Sequence, residues 1–311
     1  MNKFFIFLFL FLSIQLSAKI RLLTFHFNRP ELIDLQYRAF KKFMLDEYEW
    51  IVFNDADNEE DEELIRKRCE KYGIRCVRYE QQWHFLDPIN AQVKDWMENP
   101  NYDVKEIASS SFANNVAQHP TLRHGHVVQY ALNHFGYNHD DIIAIVDCDL
   151  FPIRSISLYQ LLTDCPIVGI QKFEKPHSSI DYLALPFIAL DCRRLPDHQD
   201  LKFHLDIIDN ELFDGGAHSY YYLKNHPEVK VAKFPQTNQR HFSELPLDEL
   251  YHLGFRKEEA ALIKELPWPF SVEFHMDNHF IHFGSCSSNI HIFKKKLKCV
   301  NNLLNTLGKD D

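Results

Sequence analysis

The chain has 311 residues, a length that fits one large domain or two small ones, and its 45% hydrophobic content is ample for a core. A formal net charge of −10 supplies no basic face, which argues against nucleic acid as a partner. The 7 cysteines are odd in number and include no C-x-x-C pair, which argues against a zinc ribbon.

Residues 1–18 read as a secretory signal: Lys3 is a short positive start, Phe4 to Leu12 is wholly apolar, and Leu16-Ser17-Ala18 offers a cleavage point. The run is short for a membrane span of about 20 residues, so an exported protein is expected first and a membrane-anchored one second. Export would let some cysteines pair, but their spacing does not say which. Residues 19–290 form the expected main domain. Ile20 to Phe27 reads as a first strand, broken at Asn28-Arg29-Pro30-Glu31, where Pro30 fits the first turn of a helix. Leu32, Leu35, Tyr37, Phe40, Phe43 and Met44 recur at helical spacing. Trp50 to Phe53 is a second strand ending in Asn54-Asp55. Glu59 to Tyr72 is a charged helix stopped by Gly73, and Ile74 to Tyr79 is a third strand. This alternation implies a mostly parallel α/β sheet with helices on both faces.

Residues 81–120 break the rhythm and read as an insertion, either a lid or substrate wall or an ordinary helical excursion. The rhythm returns with a helix from Thr121 to Phe135, followed by a strand from Asp141 to Val146. Pro166 to Gln171 and Pro186 to Leu190 are two further strands. Glu211 to Lys224 leads from a loop into a helix, and Phe280 to Phe283 is a short late strand. Residues 291–311 form a basic tail, amphipathic through Leu297, Val300, Leu304 and Leu307. It reads either as a helix packed on the body or as a contact with an anionic membrane surface.

The strand from Asp141 ends in Asp147-Cys148-Asp149. Side chains alternate along an extended chain, so Asp147 and Asp149 point the same way while Cys148 points back into packing. Paired carboxylates beside a crevice suit a hard divalent cation, Mn²⁺ or Mg²⁺, that completes its shell with water and phosphate oxygens. In open α/β sheets ligands bind beyond the carboxyl ends of the strands. Asn28-Arg29, Asn54-Asp55, Asp147-x-Asp149 and His282-Phe283-Gly284-Ser285 all sit at such ends. On the helix, His124 and His126 at i and i+2 do not face one ligand point, so they read as structural or donor-contacting rather than as a zinc pair. His177 and His241 sit in polar loops.

These motifs, in this order, resemble the GT-A fold glycosyltransferases of the nucleotide-diphospho-sugar transferase superfamily, over roughly Ile20 to Asn289. Leu22-Leu23-Thr24-Phe25 with Asn28-Arg29-Pro30-Glu31 is similar to that family's first strand and nucleotide loop. Asn54-Asp55 is similar to the end of its second strand. The resemblance therefore implies Asn28, Arg29 and Asp55 as nucleotide contacts. It also implies a metal site of Asp147, Asp149 and the late His282, and an acceptor-side loop at Asp214-Gly215-Gly216. Chemistry gives each a task. The ion would neutralise a departing diphosphate. Arg29 would pair with phosphate. Gly215 and Gly216 would let backbone approach a sugar. Asp214 would act as general base on an acceptor hydroxyl. The expected activity is transfer from a nucleotide-sugar donor to a glycan, lipid or protein acceptor. A non-catalytic sugar- or nucleotide-binding relative is one alternative, and a metal-dependent phosphohydrolase or nucleotidyltransferase another.

Overall fold

The computed structural model describes residues 19–80, 120–172, 180–209, 211–234, 245–265, 273–275, 278–283 and 290–307. The signal-like segment, nearly all of the insertion, Gly284, Ser285, His177, His241 and Cys286 lie outside them. In chain order the elements are β1 (Ile20–His26), α1 (Glu31–Phe43), β2 (Tyr48–Asn54), α2 (Glu59–Tyr72), β3 (Arg75–Arg78), α3 (Pro120–Ala131), β4 (Ile142–Asp147), β5 (Leu150–Pro152), α4 (Leu158–Leu161), β6 (Ile167–Lys172), β7 (Tyr182–Asp191), β8 (Asp206–Ile208), β9 (Glu211–Phe213), α5 (Ser219–Asn225), β10 (Val231–Phe234), α6 (Leu247–His252), α7 (Lys257–Lys264), β11 (Glu273–His275), β12 (Phe280–His282) and α8 (Ile290–Thr306).

The main sheet has seven strands in the order β10-β6-β7-β4-β1-β2-β3. All its pairings are parallel except those of β7, which runs against both β4 and β6. The architecture is the expected Rossmann-like, mostly parallel α/β sheet with helices on both faces. Period-two alternation explains how one apolar strand feeds two cores. Leu22, Val52, Ala144 and Val146 pack with Ile33 and Phe40 of α1 and Ile65 of α2. Leu23, Ile51, Ile143 and Ile145 pack on the other face with Val127, Val128 and Ala131 of α3.

Local signals set the ends. Asn58 caps α2 by accepting from the Asp61 amide at 2.9 Å, and Gly73 closes it in the left-handed region at φ 64°. Helix α3 stops short of the expected Phe135, because Leu132–Gly136 widens into a π-type turn in which the Tyr137 amide donates to the Leu132 carbonyl at 2.8 Å. The expected strand at Pro186 to Leu190 is longer, Tyr182–Asp191. Its pairing with β6 shifts register between Gly169 and Ile170, and the irregularity accommodates Pro186.

A second sheet, β11-β12-β5, is antiparallel. It covers a third apolar cluster in which Phe151 and Ile281 meet Leu32 and Phe43 of α1, Phe255, Ile263 of α7 and Val300 of α8. The basic tail becomes α8, and its Phe293, Val300, Leu303, Leu304 and Leu307 are buried against the body. Arg38 of α1 donates to Asn301 at 2.7 Å and Lys42 to the Leu307 carbonyl at 2.7 Å. Lys294, Lys295 and Lys298 stay exposed. Among the described residues no helix is long and apolar enough to cross a membrane.

Candidate metal centre

The ends of β1, β2 and β4 form one rim, because the three strands are parallel and in register. Asp147 closes β4, and Asp149 precedes β5. The β5–β12 ladder pairs Leu150 with His282, and the Phe283 amide donates to the Asp149 carbonyl at 3.0 Å. That register carries His282 across 133 positions of sequence to the aspartates. Its Nε2 stands 3.2 Å from Asp149 Oδ1. One ligand atom from each of Asp147, Asp149 and His282 falls within 4.8 Å of the others, so the three form a group that can hold a metal ion. Ligand distances of about 2.1 Å place opposite atoms about 4.2 Å apart, so closure on an ion needs only a small side-chain adjustment. Two carboxylate oxygens and one imidazole nitrogen suit a divalent ion of intermediate hardness such as Mn²⁺.

Residues that sequence reasoning passed over hold this group. Gln36 of α1 is fully buried, and its Nε2 donates to the carbonyls of Asp147 at 2.7 Å and Leu150 at 3.2 Å. Its Oε1 meets His26 Nε2 at 3.1 Å. One side chain thus pins the turn that bears both aspartates. The available signal was a glutamine on the apolar face of α1, among Leu32, Ile33, Leu35 and Phe40. Replacing Gln36 by leucine is expected to weaken Mn²⁺ binding about tenfold, as outer supports of metal sites commonly do. Titration calorimetry would measure the loss, and unchanged affinity would show that the turn holds itself.

The first turns of α3 lie along the same rim. Arg123 Nη2 donates to the Asp55 carbonyl at 3.0 Å and to its carboxylate at 3.1 Å, and its guanidinium covers the Phe27 ring at 4.2 Å. Burial pushes the Asp55 carboxyl up to about 6, against the pull of Arg123. His124 Nε2 stands 2.7 Å from Asp147 Oδ1, an ion-pair distance without the alignment of a full hydrogen bond. Burial lowers the His124 pKa, but Asp147, Asp149 and Asp55 outweigh it and the net direction is upward. The neighbouring Gly125 leaves room for the Phe203 carbonyl, which would lie 3.1 Å from an added Cβ. His126 consequently packs against the His204 ring, with centroids 5.3 Å apart.

Asn28 takes φ 49°, donates to the Asp57 carboxylate at 2.5 Å and accepts from the Asp57 amide at 3.0 Å. Arg29 donates to the Asn28 carbonyl at 2.5 Å and lies 5.2 Å from the Phe293 ring of α8. Lys296 of α8 is buried and reaches the Phe283 carbonyl at 3.3 Å. Asp214 is exposed at the end of β9, and its carboxylate accepts from the Gly215 amide at 2.8 Å. At Gly216 the close neighbour is the chain itself: an added Cβ would meet the Leu183 carbonyl of β7.

Three histidines held neutral by burial are expected to destabilise the fold in acid. Burial lowers His26 to about 4, His126 to about 4 and His204 to about 3. Each folded value lies below the unfolded one, so the unfolded state binds more protons in between and stability is lost as pH falls below about 6.5. Asp55 and His124, both shifted upward, act the other way over their own ranges. The stability lost between pH 7 and pH 5 is expected to be smaller by about 2 kcal/mol in His204→Gln than in the wild type. Urea midpoints at the two pH values measure it, and equal losses would contradict a buried neutral imidazole.

No family model and no curated protein matches the chain. Among solved structures it is similar to the apo form of the WbbM bifunctional glycosyltransferase, at 6% identity and a TM-score of 0.33. The match covers 58% of this chain and 32% of that one, so it spans about a third of that protein's length.

Proposed function

We propose that the chain is a metal-dependent glycosyltransferase using a nucleotide-diphosphate sugar, with Mn²⁺ or Mg²⁺ as cofactor. The observation that carries this reading is the meeting of Asp147, Asp149 and His282 at the carboxyl rim of a mostly parallel sheet. A divalent ion bound there supplies positive charge to a departing diphosphate. The chain's own residues do the rest. Asp147, Asp149 and His282 would hold the ion beside the phosphate end of the donor, with Gln36 pinning the backbone of their turn and His124 beside the Asp147 carboxylate. Arg29 offers a guanidinium to phosphate oxygens. Asn28 and the Asn54-Asp55 end of β2 border the nucleotide, with Arg123 holding Asp55 in place. Asp214, exposed on the loop that leads to α5, accepts the proton of the acceptor hydroxyl. Gly215 would keep that loop low beside the sugar, while Gly216 lets the loop pack against Leu183. The signal-like segment supports an exported or lumenal setting, with membrane anchoring second, and glycan, lipid or protein hydroxyls would be the acceptor classes met there.

A melting-temperature panel of nucleotide-sugars, with and without Mn²⁺, tests the reading. A ligand that binds the native state raises its melting point. At least one nucleotide-sugar is expected to stabilise the chain only when Mn²⁺ is present, and to release nucleoside diphosphate on incubation. Binding without release would favour a non-catalytic sugar-nucleotide binder. Release of inorganic phosphate instead would favour a phosphohydrolase.

A further inference from the structure

Two cysteines outside the Asp147–Asp149–His282 group share one packing layer. Cys69 sits in the last turn of α2 and is fully buried. Gly73 turns the chain back, and the Ile74 amide donates to the Cys69 carbonyl at 2.9 Å. Strand β3 then places Cys76 opposite Val52. Neighbours across a parallel ladder face the same side, and Val52 faces the layer in which Ile65 and Cys69 of α2 pack. Turn and register together bring Cys76 against the packing layer of Cys69, where each thiol perturbs the other. The pair is asymmetric. Cys76 is half-buried while Cys69 is closed to solvent. The neighbouring Cys69 thiol holds the Cys76 thiol below its ordinary range against the effect of burial, with help from the Asn54 side chain and the charge of Arg66. The Cys76 thiol, with burial, pushes Cys69 up. Both thiols are free in this structure.

We propose that Cys69 and Cys76 are a dithiol that closes to a disulfide by exchange with a small oxidised disulfide, Cys76 attacking and Cys69 resolving. In the first step the Cys76 thiolate attacks one sulfur of the oxidant. A mixed disulfide forms and one thiolate leaves. In the second step Cys69 gives up its proton and attacks the Cys76 sulfur, and the second oxidant thiolate leaves. The chain loses two electrons and two protons, and the oxidant is reduced to two thiols. The bond would tie the end of α2 to β3, closing a short local loop around Gly73. This inference is independent of the metal reading.

Peptide mapping of the full chain after incubation with oxidised glutathione tests it. Trypsin cuts after Arg68, Lys71, Arg75 and Arg78, so the two cysteines fall on separate peptides. The expected product is the 69–71 and 76–78 peptides joined and lighter by two hydrogens. In Cys69→Ala, Cys76 is expected to accumulate as the glutathione adduct instead. Before oxidation, Cys76 is expected to be alkylated at neutral pH about tenfold faster than Cys69, or more. A wild-type chain whose Cys76 stays glutathionylated beside an alkylatable Cys69 would overturn the proposal. So would two thiols that both stay reduced, or a bond from either to another cysteine. These outcomes are read in the wild type, so they stand however the variant folds.

Discussion

Alanine at Asp149 is expected to reduce Mn²⁺ affinity in the presence of UDP or GDP by about a hundredfold or more. Supports one layer out from a metal commonly matter by tenfold to a hundredfold, and a direct ligand should lie at or beyond the top of that range. The fold should survive the change. The Asp149 backbone carbonyl, not its side chain, holds the Phe283 amide, and the β5–β12 ladder runs through Leu150, Phe151 and Pro152. Removing the carboxylate also relieves repulsion with Asp147 in the metal-free chain. Stability is therefore expected to change by no more than about 1 kcal/mol. Calorimetry with a parallel urea titration separates the two effects. Equal metal affinity in both proteins would remove Asp149 from the site, and a collapse of the fold would show that its role is structural.

Among the described glycines, Gly216→Ala should be the most damaging. Gly216 sits at φ 96°, and the new Cβ would be 2.0 Å from the Leu183 carbonyl oxygen. Backbone cannot swing aside as a flexible side chain can. The Leu183 amide is itself held by Ser219 Oγ at 3.0 Å, and the Gly216 amide donates to the Phe203 carbonyl at 3.0 Å. Strain at positive φ costs about 1–3 kcal/mol and overpacking about 1–3 more, so a loss of about 3 kcal/mol or more is expected. Gly254 is the control. It takes φ 84°, but its added Cβ meets nothing nearer than the Asn278 amide nitrogen at 3.9 Å. Gly254→Ala should cost about 1 kcal/mol from backbone strain alone. Chemical denaturation of both variants checks the contrast, and equal losses would contradict the close approach at Leu183.

The parts of the fold that were legible in sequence are those whose signal is local. Ile142 to Val146 is apolar because both its faces are covered, and Glu59 to Tyr72 ends where Gly73 supplies a left-handed stop. The reversed direction of β7 was not legible. A strand buried on both faces reads the same in either direction, and Pro186 shortened its apparent length to half. The short hairpin β8–β9, edge strand β10 and helices α6 and α7 each carry too few periodic positions to stand out. For the candidate metal centre, the pairing of Asp147 and Asp149 and a late histidine at a strand end were readable, but Asp147 closes β4 and Asp149 lies in the turn that follows, rather than both on one face of an extended strand. Gln36 and Arg123 were not, and His124 was read only as structural or donor-contacting, because what they touch is fixed by helix packing rather than by neighbours in sequence. Gly216 was read as making room for a sugar, whereas the structure gives it a tight internal neighbour whatever else approaches.

Pulsed electron paramagnetic resonance of Mn²⁺ bound together with UDP tests the central claim most directly. The ion is itself the probe, and nuclei in its shell couple to it. The wild type is expected to show nitrogen coupling from the His282 imidazole and phosphorus coupling from the diphosphate in the same complex. His282→Gln is expected to lose the nitrogen signal. A Mn²⁺ spectrum with no imidazole nitrogen, or with one that persists in His282→Gln, would contradict a metal centre built from Asp147, Asp149 and His282.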